Sequence, residues 1–268
     1  MQIEQRIGII GGNGWLGSAI AQAALAKGTV SASKLLLSGR SDKPLPASLA
    51  EVEVIRDNQQ LVDRSDVIVL SVRPDQFADV TINARGKLVI SVMAGVPADY
   101  IAAWTGASEV VRAIPNAAAS LGQSFTPWFA TEPVSEASRQ LVQALFDACG
   151  EAAQVPEEGF IDYCVGMTGS GAAFPALLAK AMEDHAIAQG LPASFARRAA
   201  LGVIVAASQL LAAPDSDPAA VVQEMIDYKG TTAAALSTML DQGFARAVGA
   251  GLKAAGEKAA AMSRTVTA

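Results

Sequence analysis

The sequence predicts an α/β fold: a doubly wound parallel sheet over the first half, followed by an all-helical second half. Three observations carry this. An apolar, β-branched run at residues 7–10 meets Gly12, Gly14 and Gly17 ahead of an Ala-rich stretch, which reads as strand, tight turn and helix. Short apolar runs then alternate with segments of longer period as far as about Val155. After Pro156-Glu157-Glu158 the strand-like runs disappear, so the expected domains are residues 1–155 and 156–268.

Taken in order, the strand-like runs fall at 7–10, 34–38, 52–55, 67–71, 87–92, 109–112 and 123–130. Their alternation with helical stretches is the pattern of repeated βαβ units. Helices are expected at about 157–167, 172–189, 193–212, 218–225, 232–242 and 244–263, with "GLPAS" and "PDSDP" supplying Gly or Pro stops and Ser or Asp caps between them.

Composition narrows the function classes. The 268 residues are 51% hydrophobic but only 5% aromatic, which favours closely packed Ala-rich helices over a β-sandwich. A positive mean hydropathy and the apolar positions Leu201, Val205, Leu211 and Ala212 point to a surface covered by a second subunit. A net charge of −6 without a basic block argues against nucleic acid. The opening residues lack the basic-then-apolar pattern of an export signal, and a cytoplasmic protein is expected. The longest apolar run, residues 199–213, is broken by Ser208 and Gln209 and falls short of the roughly 20 residues of a membrane span. It reads as a buried helix. Cys149 and Cys164 sit in no disulfide or zinc spacing, so no metal is expected.

The glycine cluster carries the first functional signal. Gly12 permits the tight turn, Gly14 lets the backbone approach a pyrophosphate, and Gly17 lets the helix pack on its strand, with Asn13, Trp15 and Leu16 completing the loop. Free N–H groups at the helix start then face the phosphates. The plain alternative is an ordinary strand-to-helix turn. At the end of the second strand, where an NAD site carries Asp or Glu, this chain has Ser38, Gly39, Arg40 and Ser41. A guanidinium with hydroxyls suits a 2′-phosphate, which selects NADP(H) as cofactor. Arg40 solvating a loop is the alternative.

Further motifs arrive in order: "DNQQLVDRSDVIVLSVRP", "KLVISVMAGV", "VRAIPNAAASLG", "TGSGAAF" and "KGTTAAALSTMLDQGF". With the glycine turn they resemble the pyrroline-5-carboxylate reductase family across nearly the whole chain. The resemblance implies a Rossmann-type domain followed by a helical dimerisation domain, assembled as a homodimer or a ring of dimers. It implies an oxidoreductase acting on a CH–NH group, reducing 1-pyrroline-5-carboxylate to L-proline with NADPH. It places Asn58 near the adenosine ribose, Ser71, Val72, Arg73 and Pro74 along the cofactor, and Val92, Met93 and Ala94 beside the nicotinamide. Substrate binding falls to Ser170, Lys229, Gly230, Thr231 and Thr232, with Thr232 orienting the imine nitrogen as the catalytic group. From the residues alone, Thr231 or Thr232 reads equally as a helix N-cap.

The chain departs from the family pattern in places. The family's usual Ser-Pro-Gly-Gly before the paired threonines is Asp227-Tyr228-Lys229-Gly230 here, which adds a ring and a cation to that loop. Ala172 stands where Pro is common, Ala117-Ala118 where Thr-Pro is usual, and Trp128 where a smaller residue is expected. Arg112 is read as a strand-end buttress, His185 as a surface or structural residue, and Lys180 with Asp184 as an exposed helix pair. A β-hydroxyacid dehydrogenase is a second reading, but Lys180 lies nine positions past Gly171, too far for the catalytic Lys of that family. A third is a non-catalytic NADP-binding protein, separated from the first by turnover of a cyclic imine.

Overall fold

The computed structural model describes residues 2–39, 44–213 and 215–267. Among them the strands are β1 (Ile7–Ile10), β2 (Leu35–Ser38), β3 (Glu53–Val54), β4 (Val67–Leu70), β5 (Leu88–Ser91), β6 (Glu109–Ala113), β7 (Ser124–Ala130) and β8 (Gly150–Gln154). The helices are α1 (Trp15–Ala26), α2 (Asn58–Asp63), α3 (Ala98–Thr105), α4 (Glu136–Asp147), α5 (Gly159–Cys164), α6 (Phe174–Ala188), α7 (Ala193–Leu211), α8 (Pro218–Asp227), α9 (Thr231–Asp241) and α10 (Phe244–Thr267). The strands form one sheet in the order β3-β2-β1-β4-β5-β6-β7-β8, parallel except where β6 meets β7. β1 lies between β2 and β4, with Ile7 opposite Leu35 on one side and Val67 on the other.

Both faces of the sheet are covered, which explains the unbroken apolar runs of β1, β2, β4 and β5. Ile7, Ile9, Leu37 and Val69 join a core with α1 and α4, while Ile10, Leu36, Ile68 and Leu70 join one with α2 and α3. The single glycine inside β1 has a packing reason: a Cβ on Gly8 would overlap the Leu61 side chain and the Ser65 hydroxyl. Cys149 is buried in the α1–α4 core, and burial pushes its thiol up to about 12, so it stays protonated at neutral pH.

Trp128 finds its place between β7 and α4. It is 2% exposed, and its indole N–H donates to Gln143 Oε1 at 3.0 Å. Gln143 in turn donates to the Ala152 carbonyl at 2.8 Å, tying α4 to β8. That last strand is absent from the sequence expectation because its residues, GEAAQ, include no β-branched or aromatic side chain.

The chain forms two compact units, Met1–Ala172 with Lys253–Ala268, and Ala173–Leu252. The last strand ends at Gln154, and the helical residues that follow as far as Ala172 group with the sheet. α5 runs into a π-helical turn, Val165–Gly169, and then a 3-10 turn, Ser170–Ala173. Arg112 of β6 is 2% exposed and donates to Glu158 Oε1 at 2.8 Å and Asp162 Oδ1 at 2.7 Å, so it buttresses the strand end against α5 as expected.

In the second unit α6 packs along α7 and α8 along α9, with an Arg197–Glu183 pair at 3.1 Å between the first two helices. The exposed pair Lys180–Asp184 lies along α6, and His185 is exposed in its last turn. Residues 199–213, expected as a buried helix whose apolar face a second subunit covers, fall largely on α7, of which Ala196 and Ala200 are buried within the chain. Leu201, Val205 and Leu211 are 50%, 58% and 47% exposed. By length and composition alone, α7 is also apolar enough to cross a membrane. An Ala-rich helix that packs through two alanines leaves its larger apolar side chains outward among the described residues.

Candidate active site

A cleft of about 560 Å³ opens where the strand order reverses, beyond the C-terminal ends of β1 and β4. Five segments build its wall. The turn after β1 contributes Asn13, Gly14, Trp15 and Leu16, and the end of β2 contributes Ser38 and Gly39. The segment after β3 contributes Arg56 and Asn58, and the ends of β4 and β5 contribute Ser71, Val72, Arg73 and Val92.

The turn shows why each glycine is needed. Gly11, at φ +81°, takes the left-handed conformation, and any Cβ on it would overlap the Ser71 carbonyl. The left-handed position of the turn is thus Gly11, which the sequence expectation did not name, beside Gly12. Gly12 closes the turn by donating to Ser38 O at 2.7 Å, and a Cβ on it would lie 2.7 Å from Leu37 Cδ2. On Gly17 a Cβ would lie 2.6 Å from the Gly11 carbonyl oxygen and 2.9 Å from Gly12 Cα, so α1 seats directly on the turn. Gly14 is the N-cap and has no side chain to cap the helix. The first i to i−4 bond is Ser18 N–H to Gly14 O at 3.0 Å, which leaves the preceding amides at the cleft. A backbone cradle with donors and no blocking Cβ fits a dinucleotide pyrophosphate.

At the far end Ser38 Oγ donates to Asn58 Oδ1 at 2.7 Å, joining the tips of β2 and α2. Asp57 caps α2 by accepting from Gln60 N–H at 2.7 Å. Arg73 is forked onto Asp75 at 3.1 and 3.0 Å, with both side chains exposed.

Not every expected cofactor residue borders this cleft. Gly12 and Gly17 lie beneath the turn, and Pro74 starts a 3-10 turn, Pro74–Asp79. Met93 is 2% exposed and packs into the core with Val89 and Val96, while Ala94 is half-buried behind it. The alternation of side chains along an extended segment turns Met93 away from the face that Val92 presents. Arg40 and Ser41 lie outside the described residues. Reasoning from sequence missed Gly11, Arg56, Gln76, Asp79 and Val80 on the cleft. Gly11 had a signal, since it follows the strand directly. Arg56 precedes Asn58 by two positions but belongs to no motif.

The expected substrate residues divide between the units. Ser170 is exposed in the first unit, directly after the π-helical turn. Asn116 pins that turn: its Oδ1 accepts from Ala118 N–H at 2.9 Å and its Nδ2 donates to Thr168 O at 3.0 Å. Lys229, Gly230, Thr231 and Thr232 belong to the second unit, at the start of α9. Gly230 is the N-cap there, with no side-chain cap bond, which corrects the alternative in which Thr231 or Thr232 caps the helix. Both threonines occupy the first turn, where backbone amides are open to an anion.

Sequence comparison brings these features together. The model described as pyrroline-5-carboxylate reductase dimerisation matches residues 158–262, and that described as NADP oxidoreductase coenzyme F420-dependent matches residues 6–95. The Methanosarcina acetivorans pyrroline-5-carboxylate reductase is 30% identical over 252 residues, covering 90% of this chain and 91% of that protein. The chain belongs to the pyrroline-5-carboxylate reductase family. The Pseudomonas aeruginosa enzyme of the family is 31% identical over 79% of this chain and 80% of its own. A Coxiella burnetii family structure aligns at TM-score 0.87 and 26% identity over 97% of this chain and 99% of that one. The fold is shared with a Plasmodium falciparum pyrroline carboxylate reductase crystallised with NADP bound, at TM-score 0.84, 22% identity and coverage of 98% and 100%.

Within the family, the loop before α9 now has a physical description. Lys229 holds φ +58°, the left-handed region that favours the family's usual glycine. Tyr228 is 82% exposed, and its ring carbons would lie 3.1 Å from a Cβ on Gly230, so the ring covers that glycine. Lys229→Gly is expected to raise stability by about 0.5–1 kcal/mol, the left-handed strain less the entropy of a freer unfolded chain. Thermal unfolding checks it, and a lower melting temperature would show that the Lys229 side chain makes a stabilising contact.

Proposed function

We propose that this chain is an NADPH-dependent oxidoreductase that reduces 1-pyrroline-5-carboxylate to L-proline. The observation that carries the reading is the 30% identity to a named pyrroline-5-carboxylate reductase over 90% of the chain, together with a cleft shaped for a dinucleotide at the switch point. Bound NADPH supplies the hydride for the imine carbon. The amides of Trp15 and Leu16 hold the pyrophosphate, and Gly14 lets it approach. Ser71, Val72, Arg73 and Val92 flank the cofactor along the strand ends. Arg40 and Ser41, beside Ser38, meet the 2′-phosphate.

An iminium carbon is already electrophilic, so the protein's task is orientation and charge stabilisation more than acid catalysis. The first-turn amides of α9 at Thr231 and Thr232 hold the substrate carboxylate, with Lys229 and Gly230 completing the subsite, and the family resemblance assigns Ser170 to substrate as well. The Thr232 hydroxyl orients the imine nitrogen and passes it a proton from water.

The reading extends to assembly and setting. Residues 1–155 bind the cofactor, and residues 156–268 bind substrate and dimerise. The dimerisation model over residues 158–262 and the exposed apolar residues of α7 support a homodimer, or a ring of dimers, in which a second copy covers that helix. Free thiols at Cys149 and Cys164 accord with proline biosynthesis in the cytoplasm.

The test is NADPH oxidation with 1-pyrroline-5-carboxylate, run beside NADH and six-membered piperideine carboxylates, with the product identified by mass. Turnover to proline is expected with NADPH, and Thr232→Ala should lower kcat about 100-fold. NADPH binding without reduction of the five-membered imine would overturn the substrate, and an unchanged kcat in Thr232→Ala would overturn the role of that hydroxyl.

A further inference from the structure

Arg56 occupies a fixed place at the adenosine end of the cleft. Before it, Ile55 is 4% exposed and donates its N–H to Leu37 O at 2.8 Å, which locks the segment alongside β2. After it, Asp57 caps α2. The backbone is therefore pinned on both sides of Arg56, at the C-terminal tips of two parallel strands. Arg56 lines the cleft with Ser38, Gly39 and Asn58.

The chemistry of that corner is set by hydrogen bonding. Ser38 gives its proton to Asn58 Oδ1, so the Asn58 amide nitrogen remains as a donor toward other partners. The end of β2 is where a dinucleotide's ribose is read in this topology, and an acidic side chain there would repel a phosphate. This strand ends in Ser38-Gly39, with no carboxylate at either position. Glu53 of β3 is held by the Arg64 fork at 2.7 and 2.6 Å. Asp79 also borders the cleft, as does Arg73, which is forked onto Asp75.

We infer that Arg56 reads the 2′-phosphate of NADP(H), as a specificity-determining cation supplied from the β3 side. Its planar guanidinium suits two phosphate oxygens at once, approached from the β3 side of the cleft. The inference rests on the cofactor reading above and adds to it a residue from a different segment of the chain.

The experiment measures binding, without turnover, by calorimetry. NADPH, NADH and 2′,5′-ADP, which isolates the adenosine end, are titrated into the full-length protein and into Arg56→Ala and Arg56→Lys, each checked for folding by circular dichroism. Arg56→Ala is expected to weaken NADPH and 2′,5′-ADP by about 10- to 100-fold, with NADH held within about twofold. Arg56→Lys should fall between, since it keeps the charge and loses the fork. If the unaltered protein prefers NADPH but Arg56→Ala keeps the NADPH-to-NADH ratio, the Arg56 assignment is overturned while the cofactor reading stands. If the unaltered protein shows no preference for NADPH, both fall.

Discussion

Gly17→Ala is expected to abolish measurable NADPH binding and to cost about 1–3 kcal/mol of stability, the range for overpacking a tight contact. The added methyl would sit 2.6 Å from the Gly11 carbonyl oxygen and 2.9 Å from Gly12 Cα. Both are backbone atoms of the turn, which Gly12 anchors to Ser38 and Ile9 and Gly11 seats against Ser71, so no flexible side chain can give way. Relief must come from lifting the start of α1. That displaces the amides of Trp15 and Leu16, whose direction is the whole of their contribution to phosphate binding. An affinity loss exceeding about 100-fold follows. Gly159→Ala is the control, because a Cβ there meets nothing within 4 Å. Titration and thermal unfolding of the two variants side by side decide the matter. NADPH affinity in Gly17→Ala equal to that in Gly159→Ala would mean that the turn does not hold the pyrophosphate.

The contrast between Gly17 and Gly11 shows what is legible in a sequence. The spacing of Gly12, Gly14 and Gly17 after an apolar run identifies the turn, because strand, glycines and helix are contiguous. Which glycine bears the left-handed φ depends on the carbonyl of Ser71, sixty residues away and brought beside the turn only by pairing of β1 with β4. Arg56 was hidden for the same reason. The two-residue strand before it, Glu53–Val54, falls within the strand-like run expected at 52–55, but that run does not tell that pairing with β2 carries Arg56 to the cleft. Periodicity located the helices of the second unit to within a few residues. It could not show that α7 packs through Ala196 and Ala200 and leaves Leu201 and Val205 outward, since helical period fixes a face but not what meets it. β8 and the π-helical turn at Val165–Gly169 were illegible because neither has a local composition that demands it.

Arg112→Leu is expected to destabilise the protein by about 3 kcal/mol, the lower end of the range for breaking a buried ion pair. The side chain is 2% exposed and donates to two carboxylates, Glu158 and Asp162, which are themselves 33% and 36% exposed. Loss of the guanidinium leaves both acids facing the β6 strand end without a cation, but with enough contact with water to limit the cost. Glu158 has a second duty, accepting from Ala98 N–H at 2.8 Å at the start of α3, so the disturbance reaches a helix on the sheet itself. For a chain of this size the melting temperature should fall by about 6–12 °C. The triple variant Arg112→Leu with Glu158→Gln and Asp162→Asn tests the cause. It removes the charges together, keeps an oxygen acceptor for Ala98, and also removes the desolvated Arg112 Nε, which has no hydrogen-bond partner among the described residues. Replacing a buried ionic cluster as a unit is often close to neutral, so most of the lost stability should return. A triple variant no more stable than the single one would assign the loss to the packing of the Arg112 stem, and the tie between β6 and α5 would then be steric rather than ionic.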